Sequence, residues 1–161
     1  MTLFQKIKPY LIGILIPLAV GGLSTWLSGS LGDDFYSTIN VPPFAPPAIL
    51  FPIVWSILYI LMGISSALVY LKRERAPIAA RDGLALYAAS LVVNFFYSIF
   101  LFRLRLFLFS SFWTLLLLVL IAAYIWKYAR VSRPAAYLQI PYLIWCAFAT
   151  YLTFAIYLLN K

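Results

Sequence analysis

The chain has 161 residues, of which 65% are hydrophobic and only 10% charged, and its mean hydropathy is +1.00. A water-soluble domain cannot hide so large an apolar fraction, so the lipid bilayer is the expected solvent, and the length suits one bundle without an appended module. The net charge of +8 falls in short clusters at the ends of apolar runs, where orientation and headgroup contact account for it, so no nucleic-acid partner is expected.

A hydrocarbon core of about 30 Å needs roughly 20 apolar residues at 1.5 Å rise per residue. Charged residues divide this chain into five such pieces, and none of the five contains Asp, Glu, Lys or Arg. The first, Pro9 to Ser28, follows Lys6 and Lys8 as a signal peptide would. Its end, Ser24-Thr25-Trp26-Leu27-Ser28, lacks a small-x-small cleavage pattern and four more spans follow, so it reads as a retained helix. Gly13, Pro17 and Gly21 give it a slim face suited to internal packing.

The loop over residues 29–47 carries Pro42, Pro43, Pro46 and Pro47, which cannot donate backbone hydrogen bonds and force the preceding residues out of helical geometry. The spacing predicts a stiff, extended segment, which serves equally to stop and start helices or to act as a lid.

The second span, Ala48 to Leu71, repeats Phe51, Trp55, Tyr59, Met62 and Ser66 at spacings of three and four, which places them on one face. The third, Gly83 to Phe102, carries Tyr87, Ser90, Asn94 and Tyr97 on one stripe; such groups turn inward, as glue between helices or as ligand contacts. Ala85 and Ala89 form a small-x-x-x-small pair on the same helix. The fourth span runs from Leu106 to Trp126.

The fifth, Ala135 to Asn160, places Pro141, Trp145, Ala149, Leu152 and Ile156 on one face. Aromatic stripes of this kind pack helices or line a pocket, and Ala149, one turn after Trp145, either seats a neighbouring helix or leaves room beside the indole. An indole N–H in hydrocarbon needs a partner, which a ligand carboxylate, a water or a backbone carbonyl can supply. The single cysteine, Cys146, and the absence of histidine exclude an internal disulfide, a cysteine metal site and the commonest neutral-pH base, so neither a metal nor a required cofactor is expected. The runs exceed barrel-strand length and lack strand periodicity, which leaves an all-α, five-helix integral membrane bundle as the fold class, a single domain over residues 1–161.

On one side of the membrane fall Lys6 and Lys8, then Lys72, Arg73, Arg75 and Arg81, then Lys127, Arg130 and Arg133; the other side has Arg103, Arg105 and Lys161. For a bacterial cell membrane, the expected location, the positive-inside rule puts the N-terminus in the cytoplasm; the mitochondrial outer membrane, where the rule transfers less well, is the alternative.

The stretch Phe35-Tyr36-Ser37-Thr38-Ile39-Asn40-Val41-Pro42-Pro43-Phe44-Ala45-Pro46-Pro47, followed by Phe51, Trp55, Leu58-Tyr59 and Gly63, resembles without a gap the pattern W-Y-x-x-L-x-x-P-x-[WF]-x-P-P-x-x-x-F-x-x-x-W-x-x-L-Y. That pattern belongs to the tryptophan-rich sensory protein/translocator protein family. Asn94 with Tyr97 and Phe100, then Trp113, then Pro141-Tyr142-Leu143-Ile144-Trp145 with Phe148-Ala149-Thr150 and Leu152, resemble its third, fourth and fifth helices.

The resemblance implies a receptor or sensor for porphyrins such as protoporphyrin and other flat apolar molecules, with the first loop covering the pocket. The matching ligand-binding positions are Tyr36, Pro46, Phe51, Trp55, Tyr59, Asn94, Tyr97, Trp113, Tyr142, Trp145, Ala149 and Leu152. It also implies a homodimer and, from bacterial relatives, light-dependent oxidative breakdown of bound porphyrin, with Trp55 and Trp145 as reacting residues and the porphyrin as ligand or substrate. The name translocator implies, as the alternative, passage of tetrapyrroles, sterols or other lipid-like molecules; spans without ionisable groups or inverted repeats disfavour ion coupling. This sequence departs from the family at Phe35 and Tyr97, where Trp is usual, and at Thr153, where Asn is common. It also lacks the Tyr-x-x-(Trp)-Arg end of the animal cholesterol-recognition motif, so sterol binding through that motif is not implied.

Overall fold

The computed structural model describes residues 2–29 and 35–161, so Asp33 and Asp34, the acidic pair of the first loop, lie outside the described residues. Helix α1 runs Leu3–Ser28, α2 Leu50–Leu71, α3 Pro77–Ser98, α4 Phe107–Val131, α5 Arg133–Leu138 and α6 Ile140–Asn160. Five spans are long and apolar enough to cross a membrane, the fifth formed by α5 and α6 together, and no strand occurs among the described residues.

The helix ends follow local chemistry more than hydropathy. α1 begins at Leu3 because Thr2 and Gln5 form a capping box: Gln5 N donates to Thr2 Oγ1 at 3.3 Å and Thr2 N to Gln5 Oε1 at 2.9 Å. It ends at Gly29, whose φ of 74° is the left-handed conformation that closes a helix. α3 starts at Pro77 rather than Gly83, since proline at the first turn has its φ preset and no N–H to leave orphaned. The charges this adds are held by one another, with Arg81 3.1 Å and Lys127 3.9 Å from Asp82.

The fifth span is broken at Gln139. Pro141 cannot donate to the carbonyl four residues earlier, so the helix restarts, and the buried Gln139 side chain accepts a hydrogen bond from Tyr124 Oη at 3.0 Å. α3 also changes pitch, passing into a π-helical turn over Ile99–Arg103.

Around the bundle α1 packs on α2 and α3, α3 on α4, and α4 on α6, while α2 meets the last span through α5. The first crossing explains the slim face of α1. Pro17 leaves the Gly13 carbonyl without its helical donor, and a methyl at Gly63 would strike that carbonyl, just as one at Gly13 would strike the carbonyl of Gly63. Gly21 is equally filled, by the ring of Tyr59. Short polar bonds tie α1 to α3 and α2 to α5 and α4: Ser24 Oγ donates to Phe95 O at 2.6 Å, Ser65 Oγ to Ala135 O at 2.7 Å, and Ser66 Oγ lies 2.8 Å from Tyr128 Oη.

Candidate functional site

The loop between α1 and α2 closes one end of the bundle. It is more folded than its prolines predict: Phe35–Ser37 form a 3₁₀ turn, and Ala45 N bonds to Pro42 O at 3.1 Å, a turn with proline at its second position. Phe35, 2% exposed, sits edge-on to Phe102 at 4.8 Å. Arg105 lies over Phe35 at 5.5 Å and donates to Thr38 Oγ1 at 2.9 Å; its φ of 52° is unfavourable for a residue with a Cβ, and these contacts hold it there. At the far edge Asn40 N donates to Asn160 Oδ1 at 2.9 Å and Asn160 Nδ2 to Asn40 O at 2.8 Å. The loop is thus pinned to the α3–α4 connection and to the end of α6.

Beneath it runs a chain of rings. Tyr36 stacks on Phe51 at 5.6 Å and 13°, and burial pushes its phenol up to about 12. Phe51 in turn meets Trp145 edge-on at 5.8 Å. Trp145 forms part of the wall of an apolar cleft of about 730 Å³ between α2 and α6, together with Pro46, Val54, Leu58, Ile144 and Phe148.

The other aromatic set faces the bundle interior. Trp55 stacks on Tyr59 at 5.6 Å and stands edge-on to Tyr142 at 6.0 Å, and Tyr142 Oη accepts from Asn94 Nδ2 at 2.9 Å. One turn along, Tyr97 Oη lies 2.8 Å from Thr153 Oγ1, beside the buried Ala149 and Leu152. Of the residues singled out in the sequence, the structure therefore gathers Tyr36, Phe51, Trp145 and Pro46 at the first loop and the cleft, and Trp55, Tyr59, Asn94, Tyr142, Tyr97, Ala149 and Leu152 in the interior. Trp113 packs against the cluster of Phe35, Tyr97 and Leu101, with Phe100 at 5.1 Å and Phe109 at 5.8 Å, and its indole N–H is given to Val93 O at 2.7 Å.

The indole of Trp145 differs. Its Nε1 is buried and has no hydrogen-bond partner. A donor left unpaired in an apolar setting costs on the order of 1–3 kcal/mol, so an acceptor brought by a ligand would be stabilised there.

The sequence reading quoted Leu58 only within the family pattern and did not single out Val54, Ile57 and Leu61, the rest of the cleft stripe beside the Phe51–Trp55–Tyr59 face, nor the Asn40–Asn160 and Arg105–Thr38 pins. The cleft residues have no chemical signature beyond hydropathy. Asn160, a polar residue closing the last apolar run, is the one signal that pointed to a pin. Among the described residues no group of three or more His, Cys, Asp or Glu stands together.

A profile of the TspO/MBR family matches residues 13–159. The chain is 36% identical over 147 residues to a tryptophan-rich protein TspO of Chlorobaculum tepidum, covering 89% of this chain and 90% of that one. It is 30% identical over 128 residues to a tryptophan-rich sensory protein of Cereibacter sphaeroides, covering 80% and 78%. It is 31% identical over 151 residues to a translocator protein of Ovis aries, covering 91% and 87%. With its five spans, this multi-pass membrane protein belongs to the TspO/MBR family.

Proposed function

We propose that this protein is a membrane receptor for a flat, largely apolar ligand of the porphyrin type, bound against Trp145 beneath the pinned loop. The observation that carries this reading is the buried Trp145 N–H without an acceptor, on the wall of an apolar cleft of about 730 Å³. Burying a flat ring system there gains about 25 cal/mol per Å² of apolar area, and a carboxylate on its rim would accept from the indole. The names of the relatives, sensory protein and translocator protein, support a receptor or translocator role. Translocation is the second reading, favoured by a cleft that lies between two spans and is walled by apolar side chains, so that a lipid-like molecule can reach it from the bilayer. We further propose a cytoplasmic N-terminus, from the distribution of Lys and Arg.

The test is titration of the purified protein with protoporphyrin, following tryptophan fluorescence and porphyrin absorbance in the dark and then in light. Saturable quenching in the dark is expected. Porphyrin loss in light faster than for the free ligand would add the oxidative reaction, with dioxygen as oxidant; quenching that never saturates would overturn the receptor reading.

A further inference from the structure

A second cavity, of about 550 Å³, lies between α1, α2 and α3 at the end where α1 and α3 begin, and it shares no residue with the Trp145 cleft. Small side chains at Gly13, Ala67 and Ala88 hollow it out. Two of its features call for an occupant with specific chemistry. Tyr87, on its wall and 7% exposed, has a buried hydroxyl that makes no hydrogen bond of good geometry, because its neighbour, the Ser66 hydroxyl, is bonded to Tyr128 Oη at 2.8 Å. Lys8, also on its wall, is exposed and makes no ion pair among the described residues. A second cation stands close by, for the Arg73 guanidinium lies 4.2 Å over the ring of Tyr70, another wall residue.

Depth orders these groups. Counting from the helix starts at Leu3 and Pro77, Lys8 lies ~7.5 Å along α1 and Tyr87 ~15 Å along α3, at 1.5 Å per residue. An ammonium near the surface, a hydroxyl donor further in and an apolar hollow match the order in which a glycerophospholipid presents phosphate, ester carbonyls and acyl chain. Basic pockets between helices on the cytoplasmic side are suited to anionic headgroups. Among the described residues the only carboxylate side chains are Glu74 and Asp82, and Asp82 is already held by Arg81 and Lys127, so a second copy of this chain has little to offer the Lys8 ammonium.

We propose that this cavity is a binding site for an anionic glycerophospholipid, with its phosphate at Lys8 and Arg73, an ester carbonyl on the Tyr87 hydroxyl, and one acyl chain in the hollow beside Gly13 and Ala67. The site is separate from the one proposed for the flat ligand, so either stands or falls without the other.

The experiment is native mass spectrometry of the purified full chain, titrated with phosphatidylglycerol or with phosphatidylcholine of the same acyl chains. The wild type is expected to retain one phosphatidylglycerol, bound about fivefold more tightly than phosphatidylcholine. Lys8→Gln removes that preference. Tyr87→Phe weakens both lipids alike, because both carry ester carbonyls, while the lipid-free variant unfolds no earlier than wild type since it has lost an unsatisfied hydroxyl. Ala88→Phe, at an exposed position where bulk does not disturb the core, blocks both. Equal affinity for the two lipids, a phosphatidylglycerol adduct unchanged by Lys8→Gln and Ala88→Phe, or tighter retention of oleate would overturn the assignment. Lipid-free dimers that exclude the lipid would overturn it in favour of a second copy.

Discussion

Among single side chains, the fate of each indole N–H separates tryptophans that look alike in the sequence. Trp26 and Trp126, 71% and 64% exposed near the ends of their spans, fit the interfacial belt. Trp113 is spent on a backbone carbonyl, and Trp145 is left with nothing. Asn94 is likewise committed, as the donor to Tyr142 Oη. Tyr142→Phe should therefore leave a buried amide unpaired and lower stability by about 1–3 kcal/mol, whereas adding Asn94→Leu should recover much of the loss. Unfolding of the purified variants in mixed micelles measures both. Positions of aromatic and amide residues were legible in the sequence, but their hydrogen-bond partners were not, because Val93 O and Tyr142 Oη come from other helices and hydropathy says nothing about which stripe faces which.

For the helices, the spans could be read from the spacing of charges, since lipid admits none of them uncompensated. Their ends could not: α3 gains the turn from Pro77, and the break at Gln139 depends on Pro141 and on a bond from Tyr124, neither of which alters mean hydropathy. The slim face of α1 was legible as packing, though not its partner at Gly63. Gly63→Val should push α1 from α2, costing more than about 1–3 kcal/mol because the obstacle is backbone rather than a mobile side chain; the midpoint of thermal unfolding checks this. The loop should also respond as an element. Asn160→Ala removes the acceptor and donor that hold Asn40, so amide hydrogen exchange over residues 35–45 should speed up while the spans stay protected. Unchanged exchange would mean that the Arg105 contacts and the bond from Asn40 Nδ2 to Leu159 O suffice to hold the loop.

At the scale of the whole molecule, five spans put the two termini on opposite sides of the membrane. With Lys6, Lys8 and the basic second and fourth connections inside, a reporter fused after Lys161 should be active only when it functions outside the cytoplasm. Activity of a cytoplasm-only reporter at the same position would invert the orientation. The bundle is tied across its interior by Asn94–Tyr142 and Tyr97–Thr153 and capped by a loop pinned at two edges, while α2 and α6 diverge around an apolar cleft. Binding at that cleft turns on one atom, the unpaired Trp145 Nε1. The most direct measurement compares protoporphyrin affinity in the dark for wild type and Trp145→Phe, which keeps an aromatic ring and removes only the indole and its N–H. A loss of roughly tenfold with the helical content unchanged is the expected result; equal affinities would contradict the role assigned to Trp145.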